Sequence, residues 1–203
     1  MKVALIGASG KAGMRILAEL VRRGHHVTGI VRKPENLPPQ PGLEIKRGDA
    51  SDSASLATLL AGHDAVISAT RFVSTDPSAL IDAVKRSGVQ RLLVVGGAGS
   101  LETASGAALV DTPEIPAVAK PEALAGRAFL MLLRAEMGLD WTFLSPSGSF
   151  APGARTGKFR LGGDRLLVDA AGNSAISMED FAIAMIDELE APRHARRRFT
   201  VGY

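Results

Sequence analysis

The sequence predicts an α/β protein built on a doubly wound parallel sheet. Three observations carry that prediction. Short apolar runs alternate with amphipathic runs of helical length along the first two-thirds of the chain. Glycines stop several of the helical runs, at Gly24, Gly88 and Gly138. The first apolar run joins the first helical run through a spaced glycine seam at Gly7, Gly10 and Gly13.

The elements follow in order. VALI (3–6) reads as a buried strand. Residues 11–23 place Met14, Leu17, Ala18 and Val21 on one helical face, with Arg15, Arg22 and Arg23 elsewhere. Strands follow at 26–31 and 43–46, separated by a proline-rich turn segment (34–42). A short helix spans 53–61, then a strand 65–68, a helix near 77–87 and a strand 91–95. A loop of small residues occupies 96–118. A helix near 121–137 and a strand 141–144 complete the regular alternation.

The last quarter differs. Residues 146–175 are glycine-rich, with strand-like pieces such as 165–168. Ser177 and Asp180 then open a helix in a capping-box pattern, and a late strand ends the chain. The expectation is one domain over 1–203, with 146–203 a small substrate-side elaboration.

Composition narrows the functional classes. Charged residues make up 22% and the net charge is only +3, with no one-signed stripe, so nucleic acid is not an expected partner. Aromatics at 4% leave no base-stacking platform. No apolar run reaches the ~20 residues of a membrane span, and no signal segment is visible, so a cytoplasmic chain without a membrane partner is expected. The absence of cysteine removes thiolate metal sites and cysteine nucleophiles. His25, His26, His63 and His194 make no metal-ligand spacing, so no metal is expected.

The seam carries the chemistry. A glycine triplet between strand and helix permits a tight turn, close backbone approach to a pyrophosphate, and close helix–sheet packing, in that order for Gly7, Gly10 and Gly13. The open N–H groups of the helix start favour phosphate, and Ser9, Lys11 and Ala12 belong to the same seam. At the end of the second strand stands Arg32, followed by Lys33. An acid there would suit a free ribose 2′-hydroxyl; an arginine suits a 2′-phosphate. NADP(H) is therefore expected ahead of NAD(H). Asp49 and Ala50 follow the third strand, and Ala69 and Thr70 the fourth. All lie where open α/β sheets bind ligands, although Asp49 also suits a turn and Asp52 a helix cap.

The stretches GASGKAG (7–13), VRKP (31–34), GDASD (48–52), LDWTFLSP (139–146) and SAISMEDFAIAMIDELE (174–190) together resemble the atypical short-chain dehydrogenase/reductases. The nearest branch is that of the NADH-flavin reductases, related to biliverdin reductase B and NmrA-like proteins. The resemblance spans nearly the whole chain. It implies a Rossmann-like NAD(P)-binding fold and NADPH-dependent reduction of flavins, quinones or similar planar acceptors, with FMN or FAD as a substrate. It also implies that Gly7, Gly10 and Gly13 hold the pyrophosphate and that Arg32 meets the 2′-phosphate.

One departure matters. The larger family uses a Tyr-x-x-x-Lys pair, but the single tyrosine is Tyr203, the final residue; Lys120 is preceded four positions earlier by Pro116. Carbonyl and epimerase chemistry need such an acid–base group; reduction of a flavin or quinone relies on it less. Ser100, near the position of the family's catalytic serine, is the remaining candidate for hydrogen-bonding the acceptor. Arg71, Ser147 and Ser149 are candidates for the substrate side. A second reading, from a different class, is a non-catalytic NADP(H) sensor of the NmrA type. Oligomeric state is open at this stage.

Overall fold

A computed structural model describes all 203 residues. The chain runs β1 (Lys2–Ile6), α1 (Lys11–Arg22), β2 (His26–Val31), β3 (Leu43–Arg47), α2 (Ser53–Leu60), β4 (Ala65–Ser68), α3 (Pro77–Ser87), β5 (Arg91–Val95), α4 (Lys120–Ala135) and β6 (Asp140–Pro146). It continues through β7 (Ser149–Ala151), β8 (Arg160–Gly162), β9 (Ala175–Ser177), α5 (Met178–Glu190) and β10 (Arg197–Gly202).

The main sheet has eight strands in the order β3-β2-β1-β4-β5-β6-β10-β8. All neighbouring pairs are parallel except β10 with β8. The central strands are apolar on both sides because both faces are covered. Val3, Leu5, Val27 and Ile67 meet α1 and α5 in one core; Ala4, Ile6, Val66, Leu92 and Val94 meet α2, α3 and α4 in the other. This is a Rossmann-like arrangement. The strand order reverses between β1 and β4, which opens a crevice at their carboxyl ends.

Helix starts are set by local chemistry. Asp52 and Asp76 cap α2 and α3 by accepting the N–H groups of Ser55 and Ser78, with Pro77 opening α3. Ser177 caps α5 by accepting the N–H of Asp180 at 3.0 Å. The expected return bond from Asp180 to Ser177 is absent. The Tyr203 hydroxyl accepts the Ser177 N–H instead, at 3.2 Å. Asp180 turns inward and accepts the N–H groups of Thr156 and Gly157 at 2.7 and 2.8 Å, tying the irregular segment to the helix.

Three boundaries differ from expectation. Residues 165–168 form no strand: β8 takes the free edge of β10 at 160–162, and Leu167 packs over Gly162 and Gly202. α4 ends at Ala135, before Gly138, whose N–H is taken by the Glu136 carboxylate at 2.5 Å. The elaboration is narrower than 146–203. Phe181, Met185 and Ile186 of α5, with Phe199 and Val201 of β10, sit in the main core, so both elements complete the central sheet. What remains as elaboration is the segment between β6 and α5, which carries the two-stranded β7–β9 ribbon and lends β8 to the edge of the main sheet. No helix is long and apolar enough to cross a membrane, and no group of three or more His, Asp or Glu side chains is placed to hold a metal ion.

Candidate functional site

The glycine seam forms the floor of a cleft at the carboxyl ends of β1, β2 and β4. Gly7 leaves β1 with φ +81°, and its N–H donates to the Ile30 carbonyl at 2.9 Å. A Cβ at Gly7 would lie 2.7 Å from the Ala69 carbonyl oxygen, so the turn closes only around glycine. Gly10 is the residue before α1 and contributes no side-chain cap. The N–H groups of Lys11, Ala12 and Gly13 have no acceptor in the chain, as at any uncapped helix start. A Cβ at Gly13 would fall 2.2 Å from the Gly7 oxygen. The helix start thus rests directly on the strand-end turn.

Nine of the residues singled out from sequence line this cleft: Gly7, Ser9, Gly10, Arg32, Asp49, Ala50, Ala69, Thr70 and Arg71. Arg32 stands exposed on the rim with no carboxylate in ion-pair range; Glu35 does not reach it. Asp49 lines the same wall but is occupied in a turn. Its carboxylate accepts the N–H and the hydroxyl of Ser51, at 3.0 and 2.7 Å. Those two bonds, and behind them the charge of Arg32, hold the Asp49 carboxyl below its usual range against partial desolvation.

Arg71 is mostly exposed and lies 3.7 Å from Glu122 of α4. Glu122 also accepts the N–H groups of Phe72 and Val73, at 2.7 and 3.2 Å. The Phe72 ring stacks on Phe143 and meets Phe129 edge-on, with centroids 6.0 and 5.8 Å apart. Segment 71–75, one wall of the cleft, is therefore clamped by α4.

Sequence reasoning missed Ile6, Ile30, Val31, Gly48, Ser74 and Thr75 on this cleft. Gly48 carried a signal: a Cβ there would meet Ile30 and Leu59 at 2.7 and 2.8 Å. Ser74 and Thr75 carried none, because the Glu122 clamp that places them comes from a distant helix.

Other candidates stand elsewhere. Lys11 and Lys33 are exposed beside the cleft but do not line it, and Ala12 packs against the core. Ser147 is a correction. It is buried, and its hydroxyl donates to the Val201 carbonyl at 3.0 Å beneath Gly202, so it cannot face a substrate. Ser149 is exposed on β7, outside the cleft. Ser100 also lies outside it: the buried Arg198 guanidinium donates to its hydroxyl at 3.3 Å and to its carbonyl, and also pairs with Asp164. That arrangement staples the loop after β5 to the sheet edge. Tyr203 is likewise engaged: its hydroxyl donates to the Asp180 carboxylate at 2.9 Å and lies 2.9 Å from the Ser177 hydroxyl.

A ligand with two linked phosphates fits the cleft on three counts: a cradle that a Cβ would fill, open N–H groups at a helix start, and an unpaired guanidinium on the rim. The family model for NAD(P)H-binding proteins matches residues 7–192. The chain belongs to the NAD(P)H-binding family.

Solved structures agree on the fold. A protein from Burkholderia pseudomallei described as a candidate exported protein is 46% identical, with full coverage of both chains and a TM-score of 0.90. A candidate epimerase from Bacteroides thetaiotaomicron is 45% identical over all of this chain and 96% of its own, at a TM-score of 0.95. A candidate NADH-flavin reductase from Streptococcus pneumoniae is 37% identical over 100% and 99%, at 0.84. Three such similar structures carry three different descriptions, so the likeness establishes fold and cofactor family rather than a reaction.

Proposed function

We infer that this protein is an NADPH-dependent oxidoreductase that reduces a planar acceptor of the flavin or quinone class, with FMN or FAD as candidate substrates. The observation that carries the reading is the cleft itself. A glycine cradle for a pyrophosphate and the unpaired guanidinium of Arg32 share it, while no tyrosine, histidine or unengaged carboxylate lines it. When bound, the nicotinamide supplies hydride chemistry. Gly7, Ser9, Gly10 and the first N–H groups of α1 would hold the phosphates, and Arg32 the 2′-phosphate. Ala69 and Thr70 would give the dinucleotide a flat wall. Arg71 extends beyond them on a long, exposed side chain suited to an acidic group on the acceptor.

The lack of an acid–base group in the cleft supports this acceptor class. Reduction of a ketone or epimerisation of a sugar leaves charge on an oxygen that a positioned acid must meet. Tyr203 and Ser100 are both engaged in structural bonds away from the cleft. A flavin or quinone ring accepts hydride without such help and takes its proton from water, leaving the protein to align the reactants. The same lack favours one alternative, an NADP(H)-binding sensor of the NmrA type that performs no turnover. The expected location is the cytoplasm, where NADPH is regenerated.

Replacing Arg32 by Asp tests the cofactor assignment by direct titration. A charge-assisted pair to phosphate contributes about 1.5–3 kcal/mol, so NADPH binding should weaken roughly 10- to 100-fold, while NADH binding changes little. Equal weakening of both removes the case for the 2′-phosphate.

A further inference from the structure

We propose that Glu179 is a positioning residue for the nicotinamide half of the cofactor, acting through an exposed strap at 153–157. Residues 152–158 are exposed and belong to no helix or strand. Yet every residue from 153 to 157 is bonded to a side chain of α1 or of the start of α5. The Gly153 N–H donates to Glu179 at 2.7 Å, and the Ser177 hydroxyl donates to the Ala154 carbonyl at 2.8 Å. Arg155 donates to both carboxylate oxygens of Glu19, each at 2.9 Å. The N–H groups of Thr156 and Gly157 share Asp180. Glu19 and Asp180 are themselves buried. Ordering an exposed segment costs backbone entropy that apolar burial does not offset here. Connecting segments with no site to serve are usually left mobile. This one is held residue by residue, which suits a wall that must stand in one place.

The place is the mouth of the cofactor site. α1 follows β1 and α5 leads into β10, both strands parallel to their neighbours, so the two helices start at the same end of the sheet as the cleft. They lie side by side, tied by Arg15 to Glu179 and by Arg23 to Asp187. Arg32 follows β2 and the glycine cradle follows β1, its neighbour. The half of a dinucleotide beyond the cradle therefore continues away from β2, toward β4 and the flank of α1 that faces α5.

Glu179 joins the strap to the cradle. One of its oxygens accepts the Gly153 N–H; the other accepts Arg15 Nε at 3.1 Å. The same guanidinium donates to the Lys11 carbonyl, in the first turn of α1, at 3.3 Å. Burial works to raise the Glu179 carboxyl, but Gly153 and Arg15 outweigh it and leave it lowered, so the group is charged at neutral pH. Glu179 does not line the cleft; it acts by fixing Gly153 relative to the start of α1. The inference rests on the dinucleotide reading of the cleft and not on the identity of the acceptor.

The test titrates the full chain with two ligands, NADPH and 2′-phospho-ADP-ribose. The second has the same phosphates and adenosine but no nicotinamide, and neither titration needs turnover. Glu179→Gln keeps the shape and removes the charge that Gly153 and Arg15 share. It should weaken NADPH roughly 5- to 10-fold and leave 2′-phospho-ADP-ribose within about twofold. Arg15→Gln, a change on a partly exposed side chain, should act in the same direction and less. The double variant should bind NADPH no more weakly than Glu179→Gln, because both changes cut one link. Arg32→Asp is the control and should weaken both ligands together. Equal weakening of the two ligands by Glu179→Gln, or weakening of neither, overturns the proposal with the circular dichroism unchanged. If Glu179→Gln fails to fold, wild-type NADPH affinity in Arg15→Gln overturns it. A wild-type chain that binds neither ligand overturns the dinucleotide reading as well, so the two failures are told apart.

Discussion

Gly13→Ala should destabilise the protein, although the same change at an ordinary helical position stabilises it. In a solvent-facing helix interior, alanine is favoured over glycine by about 1 kcal/mol. At Gly13 the new Cβ would stand 2.2 Å from the Gly7 carbonyl oxygen and 3.0 Å from its carbon, both backbone atoms. Ordinary contact begins near 3.4 Å, so α1 would have to lift from the β1 turn by about 1.2 Å at its first turn. Ile16, Leu17 and Leu20 on the buried face of α1 would loosen with it. A gap of 0.5–1 Å already forfeits a quarter to a half of each contact's dispersion energy. Overpacking of this kind costs about 1–3 kcal/mol or more, which outweighs the propensity gain. The net expectation is a loss of about 2 kcal/mol, read as a fall in melting temperature of roughly 4–8 °C for a chain of this size. Thermal melts followed by circular dichroism at 222 nm provide the measurement. A variant that melts at or above the wild type would refute the close packing of helix start on strand end, and with it the geometry of the cradle.

Further outcomes follow from the clamp and the buried ion pairs. Glu122→Gln removes the charge that accepts two N–H groups of segment 71–75; NADPH affinity should fall about 3- to 10-fold, in line with charged hydrogen bonds of about 1.5–3 kcal/mol partly retained by the amide. Unchanged affinity would show that the wall needs no clamp. On acidification, stability should hold to about pH 5 and then fall. The carboxyl of Glu19 is held below its ordinary 4.5 first by Arg155, then, against burial, by Arg23. Burial works to raise Asp180 and Glu188, but Thr156, Gly157 and Tyr203 around the first, and His194 around the second, outweigh it and leave both lowered. A depressed carboxyl stabilises the fold above its unfolded-state pKa and loses that contribution as pH falls through the folded-state value. Urea midpoints across pH read this directly, and Glu19→Gln should lower the midpoint at neutral pH while flattening the acid limb. A midpoint that rises on acidification would contradict the reading.

Much of the fold was legible because each central strand is a short apolar run and most helices begin at a residue whose chemistry marks the start. Asp52, Asp76 and Ser177 cap where their side chains say they should. The cleft was legible for a different reason: the glycines at its floor are required by backbone contacts between neighbouring strands, so they keep a fixed spacing. What stayed hidden depends on contacts between residues far apart in sequence. Ser147 reads as a substrate-side candidate but is pinned under Val201, which lies 54 positions away. Ser100 looked catalytic by position, yet Arg198 reaches it from the last strand. The wall at 71–75 takes its shape from a carboxylate 50 residues on. The 165–168 piece has strand-like composition, but the neighbouring edge of β10 is already filled by β8.

The central claim is NADPH-dependent reduction of a planar acceptor at this cleft. Its most direct test follows NADPH absorbance at 340 nm with FMN, and then with a simple quinone, using NADH as the matched control. The account predicts saturable oxidation that requires an acceptor, is faster with NADPH than with NADH, and loses that preference in Arg32→Asp. Tight NADPH binding without turnover on either acceptor would contradict it and leave the sensor reading in its place.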